Sequence, residues 1–173
     1  MKTQRFETTK AFFGTMGFLF VLLPIIFIGI PYKILSSPNH SQLFDIGKLR
    51  YVGVVPIVVG TIIYFWCSLC FVFRGKGTPI YTMPPKKLVV TNLYRFVRNP
   101  MYIGAFLILA GKVLLFQSQD LLAYFLLMFG IINGHVLAFE EPRLSDLFGE
   151  TYKQYRASVR RWMPRLTPYR ENN

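Results

Sequence analysis

Long apolar stretches alternate with short polar segments along this chain. Residues 11–30 and 51–73 contain no charged side chain, and residues 121–139 contain only His135 as a group that can carry charge near neutral pH. Residues 101–116 form a shorter apolar stretch. Because a helix needs roughly 20 mostly apolar residues to cross a bilayer, this pattern predicts about four transmembrane helices.

The last two predicted helices form a hairpin over residues 101–139, joined by a polar turn at 117–120. Pro142 disfavours helical geometry in the residue before it, so we expect the chain to break there and a new helix to begin. Apolar residues then recur at three- and four-residue spacing: Leu144, Phe148, Tyr152, Tyr155, Val159 and Trp162. This periodicity predicts an amphipathic helix lying at the membrane interface. The expected fold is therefore an all-α integral membrane protein.

Two regions follow from these elements. Residues 1–73 carry the N-terminal transmembrane helices. Residues 74–173 form a core that consists of a cytosolic loop (74–100), the helical hairpin (101–139) and a C-terminal segment (140–173). With 173 residues, the chain has room for one membrane domain and short loops.

Composition and charge agree with a membrane protein. Hydrophobic residues make up 53% of the chain and charged residues 16%, against about 25% charged residues in soluble domains. With four spans, 16 of the lysines and arginines fall on one side of the membrane and 3 on the other. The positive-inside rule then predicts a multi-pass protein with cytoplasmic termini that contacts membrane lipids. A nucleic-acid partner is not expected, since no binding motif is present, and no metal site is predicted.

The cytosolic loop carries the first candidate chemistry. Gly75 and Gly77 allow a close approach of the backbone to a ligand, although a flexible connector gives the same pattern. Pro100 suits the first turn of a helix, whose free N–H groups favour an anion. Arg98 adds a planar, charged fork that suits a carboxylate.

Acidic residues stand at the other end of the hairpin. Glu140 and Glu141 follow an apolar span, where two carboxylates are costly unless cations meet them. Either arginines within the protein or a cationic ligand would satisfy this requirement. His135 lies within the last span, where polar groups are functional candidates as well as structural ones.

Several motifs resemble the isoprenylcysteine carboxyl methyltransferase and phospholipid methyltransferase superfamily of small membrane enzymes. They read "GKGTP", "YRFVRNPMYIG" and "EEPRLSDLFGETYKQY", followed by "RWMP", and the resemblance covers roughly residues 74–164. The resemblance implies a cytosol-facing S-adenosylmethionine pocket built by the loop, the hairpin and the C-terminal segment. Asn99 stands where many relatives have histidine, and asparagine cannot exchange a proton near neutral pH.

The pattern and the resemblance together give the candidate residues. Those expected to bind the cofactor are Gly75, Gly77, Arg98, Asn99, Pro100, Tyr102, Gly104, Glu140, Glu141 and Tyr152. Those expected to take part in catalysis are Arg98, Tyr102 and His135.

The predicted function is S-adenosylmethionine-dependent methyl transfer to a lipidic or prenylated acceptor in the membrane. Isoprenylcysteine-type carboxyl O-methylation is the first choice, and N-methylation of a phospholipid amine is the alternative with the same chemistry. A nicotinamide-dependent membrane reductase and a non-catalytic membrane scaffold are the alternatives from other classes. The glutamate pair disfavours the reductase, because the 2′-phosphate of a nicotinamide cofactor would bind better to a basic cluster.

Overall fold

The computed structural model describes most of the hairpin, the C-terminal segment and parts of the N-terminal region, namely residues 25–37, 42, 45–70, 88 and 90–170. Most of the first predicted span, and the loop residues 74–87 with Gly75 and Gly77, lie outside the described residues.

The described part of the chain is helical. Its α-helices are α1 (Ile30–Leu35), α2 (Val54–Cys70), α3 (Pro100–Phe116), α4 (Gln119–His135) and α5 (Glu141–Ser158). Shorter helical turns adjoin them: π-helical turns at Ile25–Gly29 and Val136–Glu140, and 3₁₀ turns at Gly47–Gly53 and Asn92–Arg95. Among the described residues, β pairing is limited to an isolated bridge between Gln42 and Ser118. The all-α prediction is confirmed for this part of the chain.

Two helical stretches are long and apolar enough to cross a membrane, Gly47–Leu69 and Gln119–Ser158. The apolar part of the second stretch ends before Glu140. Helix α3 is apolar but has only 17 residues. Large apolar side chains of α2 are exposed, as lipid contact requires: Val55, Val58, Ile62 and Phe65. Two spanning helices are therefore supported, and the number four stays a prediction.

Helices α2 and α3 pack antiparallel through glycines. A Cβ added to Gly60 would lie 2.5 Å from the carbonyl oxygen of Gly104, and one added to Gly53 would lie 2.5 Å from that of Gly111. Gly53, at the end of the 3₁₀ turn that leads into α2, is seven residues from Gly60, and Gly104 is seven residues from Gly111. Each of these two spacings places its glycines on one face of the helical stretch. Small residues let helix backbones approach closely in membranes. These contacts fix α3, whose first turn carries the candidate site, against α2.

The hairpin turn is shorter than predicted. Helix α3 ends at Phe116 and α4 begins at Gln119, so two residues make the connection. Gln117 adopts the left-handed conformation, with φ 53°. The Ser118 hydroxyl accepts a hydrogen bond from the Leu121 N–H at 3.3 Å and caps α4. A tight turn of this kind keeps α3 and α4 antiparallel neighbours.

The predicted break at Pro142 is wrong. Glu141 has helical geometry (φ −65°, ψ −43°), and α4 continues into α5 through the π-helical turn Val136–Glu140. A π turn widens the helix just before the proline, where the ring would otherwise clash with the carbonyl four residues earlier. The chain instead departs from helical geometry at Gly149 (φ 51°, ψ −126°).

The apolar periodicity of α5 makes a small core. Tyr152, Tyr155 and Val159 are buried, and they pack with partly buried residues of the same helix, of the loop and of the C-terminal end: Leu144, Phe148, Leu88, Val90 and Tyr169. The helix ends at Ser158, so Trp162 lies beyond it. The apolar face of α5 thus contacts protein in this region. Its position at a membrane interface stays a prediction.

We expect Gly60→Ala to destabilise the protein by about 1–3 kcal/mol, because the added methyl group meets the α3 backbone. Gly130→Ala is the matched control, since Gly130 is also helical and nothing lies within 4 Å of its added Cβ. Thermal unfolding in detergent measures both. Equal unfolding temperatures for the two variants would contradict the proposed close packing of α2 on α3.

Candidate active site

The C-terminal residues 159–170, here called the C-terminal strap, run back along the loop that precedes α3. Backbone hydrogen bonds join the two segments at three points: Arg98 N to Arg160 O at 3.0 Å, Arg165 N to Phe96 O at 2.9 Å and Tyr169 N to Arg95 O at 2.9 Å. The buried Tyr155 hydroxyl also donates to the Tyr94 carbonyl oxygen, at 2.6 Å. The strap and α5 therefore hold the main chain of the loop that carries Arg98.

Guanidinium groups from three parts of the chain converge on the Glu141 carboxylate. Arg98 Nη1 lies 2.7 Å from Oε1, and Arg156 Nε lies 3.6 Å from Oε2. Arg161 binds through two nitrogens, with Nε 2.7 Å from Oε1 and Nη2 3.1 Å from Oε2. The Glu141 side chain is only 5% exposed. Glu141 thus has arginine partners within the protein, one of the two alternatives that the sequence left open.

Electrostatics keep this carboxylate ionised. Glu141 lies past the apolar part of its helix, where burial alone would raise the pKa of its carboxyl group. The hydrogen bond from Arg161 and the charges of Arg98, Arg161 and Arg156 outweigh burial and hold this pKa below its usual range. The hydrogen bond to Glu141 in turn raises the pKa of Arg161. The stabilisation from Glu141 is therefore present above the ordinary carboxyl pKa and is lost as pH falls through its lowered value.

A second carboxylate contact involves the first turn of α3. The Tyr102 hydroxyl donates to Glu140 Oε1 at 2.5 Å, and links the first turn of α3 to the end of the π-helical turn. Arg98 Nη1 also lies 3.4 Å from the Tyr152 hydroxyl oxygen, a long contact to a buried side chain. Direct contacts thus join Arg98, Glu141 and Tyr152 in one group and Tyr102 and Glu140 in another, and the two groups meet at the adjacent residues Glu140 and Glu141.

Trp162 closes one side of this region. Its indole Nε1 donates to Asn133 Oδ1 at 3.0 Å. Its ring lies near aromatic rings of α3 and α4, with centroid distances of 6.5 Å to Tyr102, 5.6 Å to Phe106 and 5.9 Å to Phe129. The strap therefore places an apolar wall beside the Tyr102–Glu140 contact.

Two nitrogen donors near the start of α3 are buried without a hydrogen-bond partner among the described residues. They are Arg98 Nε and Asn99 Nδ2. Pro100 is the first residue of α3 and is buried, as the sequence predicts for a helix start. Leaving such donors unpaired costs roughly 1–3 kcal/mol each, so a group that accepts hydrogen bonds at this position would recover that free energy.

Two other predicted site residues, Gly104 and His135, have their described contacts outside the group around Glu140 and Glu141. Gly104 faces Gly60 in the α2–α3 contact. His135 ends α4, with its ring 5.5 Å from that of Phe139. Across the described residues, no three His, Cys, Asp or Glu side chains form a possible metal site.

Arg161 is not among the residues predicted from the sequence, yet it makes the only two-nitrogen contact with Glu141 among the described residues. Its position beside Trp162 in the basic "RRWMP" run was the available clue. Charge runs of this kind usually face solvent, and only the return of the strap brings this one to Glu141.

Comparison with known proteins places this chain in a family. A family model described as phospholipid methyltransferase matches residues 49–151, more than half of the chain. The chain belongs to the phospholipid methyltransferase family. The match covers α2, the hairpin, Arg98 and both glutamates. The protein is accordingly a methyltransferase. No solved structure is significantly similar to the chain.

The relatives of this chain carry names that refer to different functions. A probable protein-S-isoprenylcysteine O-methyltransferase of Oryza sativa subsp. indica is 27% identical over 146 residues, which is 79% of this chain and 74% of that protein. The nickel-cobalt-cadmium resistance protein NccN of Alcaligenes xylosoxydans xylosoxydans is 28% identical over 78% of this chain and 60% of its own length. Methanethiol S-methyltransferase 1 of Bradyrhizobium diazoefficiens is 34% identical over 46% of this chain and 27% of its own length.

We expect Glu141→Gln to lower the free energy of unfolding by up to about 3–5 kcal/mol, because it leaves three guanidinium groups without their shared carboxylate. Glu150→Gln is the matched control, since Glu150 pairs with Lys153 at 2.6 Å in a contact whose side chains are 75% and 63% exposed. Such an exposed pair contributes about 0–1 kcal/mol. Thermal unfolding of both variants measures the difference. Similar losses would show that Glu141 does not hold the strap.

Proposed function

We propose that this protein transfers a methyl group from S-adenosylmethionine to an acceptor held in the membrane, with the carboxylate of an isoprenylcysteine-type group as the acceptor. The observation that carries the proposal is the pair of contacts Arg98–Glu141 and Tyr102–Glu140, which lie on two adjacent glutamates. It joins the two sequence blocks that resemble the superfamily at the end of an apolar hairpin. The name of the rice relative supports the choice of acceptor.

The residues present fit the methyl donor. The unpaired N–H groups of Arg98 and Asn99 suit its carboxylate, and Glu140 offers carboxylate oxygens to an ammonium or to ribose hydroxyls. Glu141 would not contact the methyl donor itself; it holds the guanidinium of Arg98 in place. When bound, S-adenosylmethionine supplies a methyl group on a sulfonium sulfur, ready for in-line displacement.

The contribution of the chain is mainly to position the reactants and to exclude water. The aromatic wall of Tyr102, Phe106, Phe129 and Trp162 keeps the end of the hairpin apolar. A carboxylate acceptor arrives without a proton on the attacking oxygen, so no general base is required. Only a protonated acceptor, such as a thiol or an ammonium group, needs one, and the Tyr102–Glu140 contact then offers a proton acceptor.

The membrane arrangement is part of the same proposal. With four spans, the Arg98 loop and the strap lie on the cytoplasmic side, where most lysines and arginines are found. A prenyl chain in the inner leaflet would reach the end of the hairpin laterally. Membrane lipids and a prenylated acceptor are the proposed partners.

Two other acceptors have support from the comparisons. The name of the family model favours a phospholipid amine, and the name of the Bradyrhizobium relative favours a small thiol. Both keep the same methyl donor and the same site.

The choice of acceptor is tested with purified protein in lipid vesicles and methyl-labelled S-adenosylmethionine. The vesicles contain phosphatidylethanolamine, and S-farnesylcysteine and methanethiol are added separately. We expect label in a base-labile methyl ester of S-farnesylcysteine. Label in phosphatidylethanolamine or in dimethyl sulfide instead would overturn the carboxylate assignment and leave methyl transfer intact.

The role of Arg98 in this reaction is tested by Arg98→Lys, which keeps the charge and loses the planar fork. We expect the affinity for S-adenosylmethionine to fall roughly 10- to 150-fold, the effect of losing one charge-assisted hydrogen bond. Arg160→Lys is the control, because Arg160 is exposed and contributes its backbone carbonyl to the site. Calorimetric titration of the folded fraction measures both affinities. Unchanged affinity in Arg98→Lys would remove Arg98 from the donor site.

A further inference from the structure

We propose that the C-terminal strap lies in the surface layer of the membrane and binds anionic phospholipids. In this arrangement Met163 and Leu166 lie among the acyl chains beside the hairpin, and Arg160, Arg165 and Arg170 meet the lipid phosphates. These side chains are outside the contacts of the candidate active site. The inference therefore does not depend on the identity of the methyl donor or of the acceptor.

Met163 and Leu166 are large apolar side chains that the described part of the chain leaves uncovered. Met163 is 63% exposed and Leu166 is 99% exposed. Pro164 and Pro168 lie in the same segment, which forms no regular helix. Because single exposed apolar side chains are common on soluble proteins, the position of the strap relative to the membrane decides what covers these two.

The segment that carries Leu166 is fixed at both ends. The N–H of Arg165 donates to the Phe96 carbonyl oxygen at 2.9 Å. The N–H of Tyr169 donates to the Arg95 carbonyl oxygen at 2.9 Å, and the Tyr169 carbonyl oxygen accepts from Arg95 Nε at 2.8 Å. The exposure of Leu166 is therefore a property of a held segment and not of a frayed chain end.

Trp162 places the strap at the depth of the apolar part of the hairpin. Its ring centroid lies 5.9 Å from that of Phe129. Phe129 precedes the end of α4 by six residues, which is about 9 Å along the helix axis. The same spanning stretch still exposes apolar side chains beyond this level, at Leu137 (45%) and Phe139 (62%). Met163, the next residue after Trp162, thus starts at a level where the helix surface faces lipid.

The polar side chains of the strap supply positive charge. Residues 159–170 include four arginines and no acidic residue. Arg161 binds Glu141, whereas the ion pairs of the described residues leave out Arg160, Arg165 and Arg170. A basic residue near an anionic bilayer strengthens membrane binding about fivefold, and a guanidinium group matches a phosphate.

An anionic lipid surface fits both parts of the strap. Its acyl chains cover the apolar side chains, and its phosphates pair with the arginines. A soluble partner protein carrying acidic groups would match the charge, but it would not reach the depth at which Trp162 lies. The observations on depth and charge therefore favour lipid as the partner.

The depth of the strap is tested with the full chain in lipid nanodiscs, whose two faces are both open to solvent. Cys67 and Cys70 are replaced by alanine, and a bimane label is attached to Leu166→Cys. Leu126→Cys, on the exposed apolar surface of α4, and Gln154→Cys, at an exposed polar position of α5, are the references. With nitroxide on the lipid acyl chains, we expect quenching at 166 close to that at 126 and several-fold stronger than at 154.

The charge of the lipid is tested with the same label. We expect quenching at 166 to increase when phosphatidylglycerol replaces part of the phosphatidylcholine, and high salt to reduce the increase. Arg165→Gln should weaken this response. Lys153→Gln is the matched control, because it also removes one positive charge but from an exposed pair on α5.

The unmodified protein gives an independent measurement if the cysteine-free background does not fold. Trypsin cleaves after arginine, and we expect cleavage between Arg165 and Leu166 to be slower in anionic than in neutral nanodiscs. Equal cleavage rates would contradict the proposal.

Three results with the label would overturn the proposal. Quenching at 166 by aqueous iodide but not by lipid nitroxide would show that the strap faces water. Protection from both quenchers would assign the surface to a protein contact, including one with a second copy of the chain. Equal lipid quenching in neutral and anionic nanodiscs would exclude anionic headgroups as the partner.

Discussion

The ion cluster at Glu141 joins three parts of the chain that are distant in sequence. Arg98 precedes α3, Glu141 begins α5, and Arg161 belongs to the C-terminal strap. A buried carboxylate with several guanidinium partners stabilises only the arrangement in which all of them meet, because loss of one partner leaves charge uncompensated. The positions of Arg98, of the first turn of α3 and of Trp162 all depend on this interaction. Glycine contacts with α2 hold the other side of α3.

This arrangement separates the roles of the two adjacent glutamates. Glu141 is turned towards the arginines, whereas Glu140 meets the Tyr102 hydroxyl at 2.5 Å. The π-helical turn Val136–Glu140 ends at this pair and changes the direction in which successive side chains leave the helix. A methyltransferase that binds a donor with both an ammonium and a carboxylate needs opposite charges at two ends of a short site. Arg98 with Asn99, and Glu140 with Tyr102, provide them in our proposal.

Much of the fold and part of the site could be predicted from the sequence. The apolar stretches at 101–116 and 121–139 predict the hairpin, and the blocks around Arg98 and Glu141 could be picked out because they resemble motifs of the superfamily. The continuity of the helix through Pro142 could not be predicted, since a π turn is a tertiary adjustment with no clear sequence pattern. The role of Arg161 depends on how the strap returns to the loop. Gly104 was assigned to the cofactor, yet its lack of a side chain is required by contact with Gly60.

Hydrogen–deuterium exchange with and without S-adenosylhomocysteine tests the central claim most directly, that the Arg98 loop and the C-terminal strap together form the donor site. We predict slower exchange on ligand addition in peptides that cover residues 93–103 and 159–165, because the ligand fixes the loop and the loop is hydrogen-bonded to the strap. Peptides from α2 should be unaffected. Unchanged exchange in both predicted segments, with protection confined to other parts of the chain, would contradict the account.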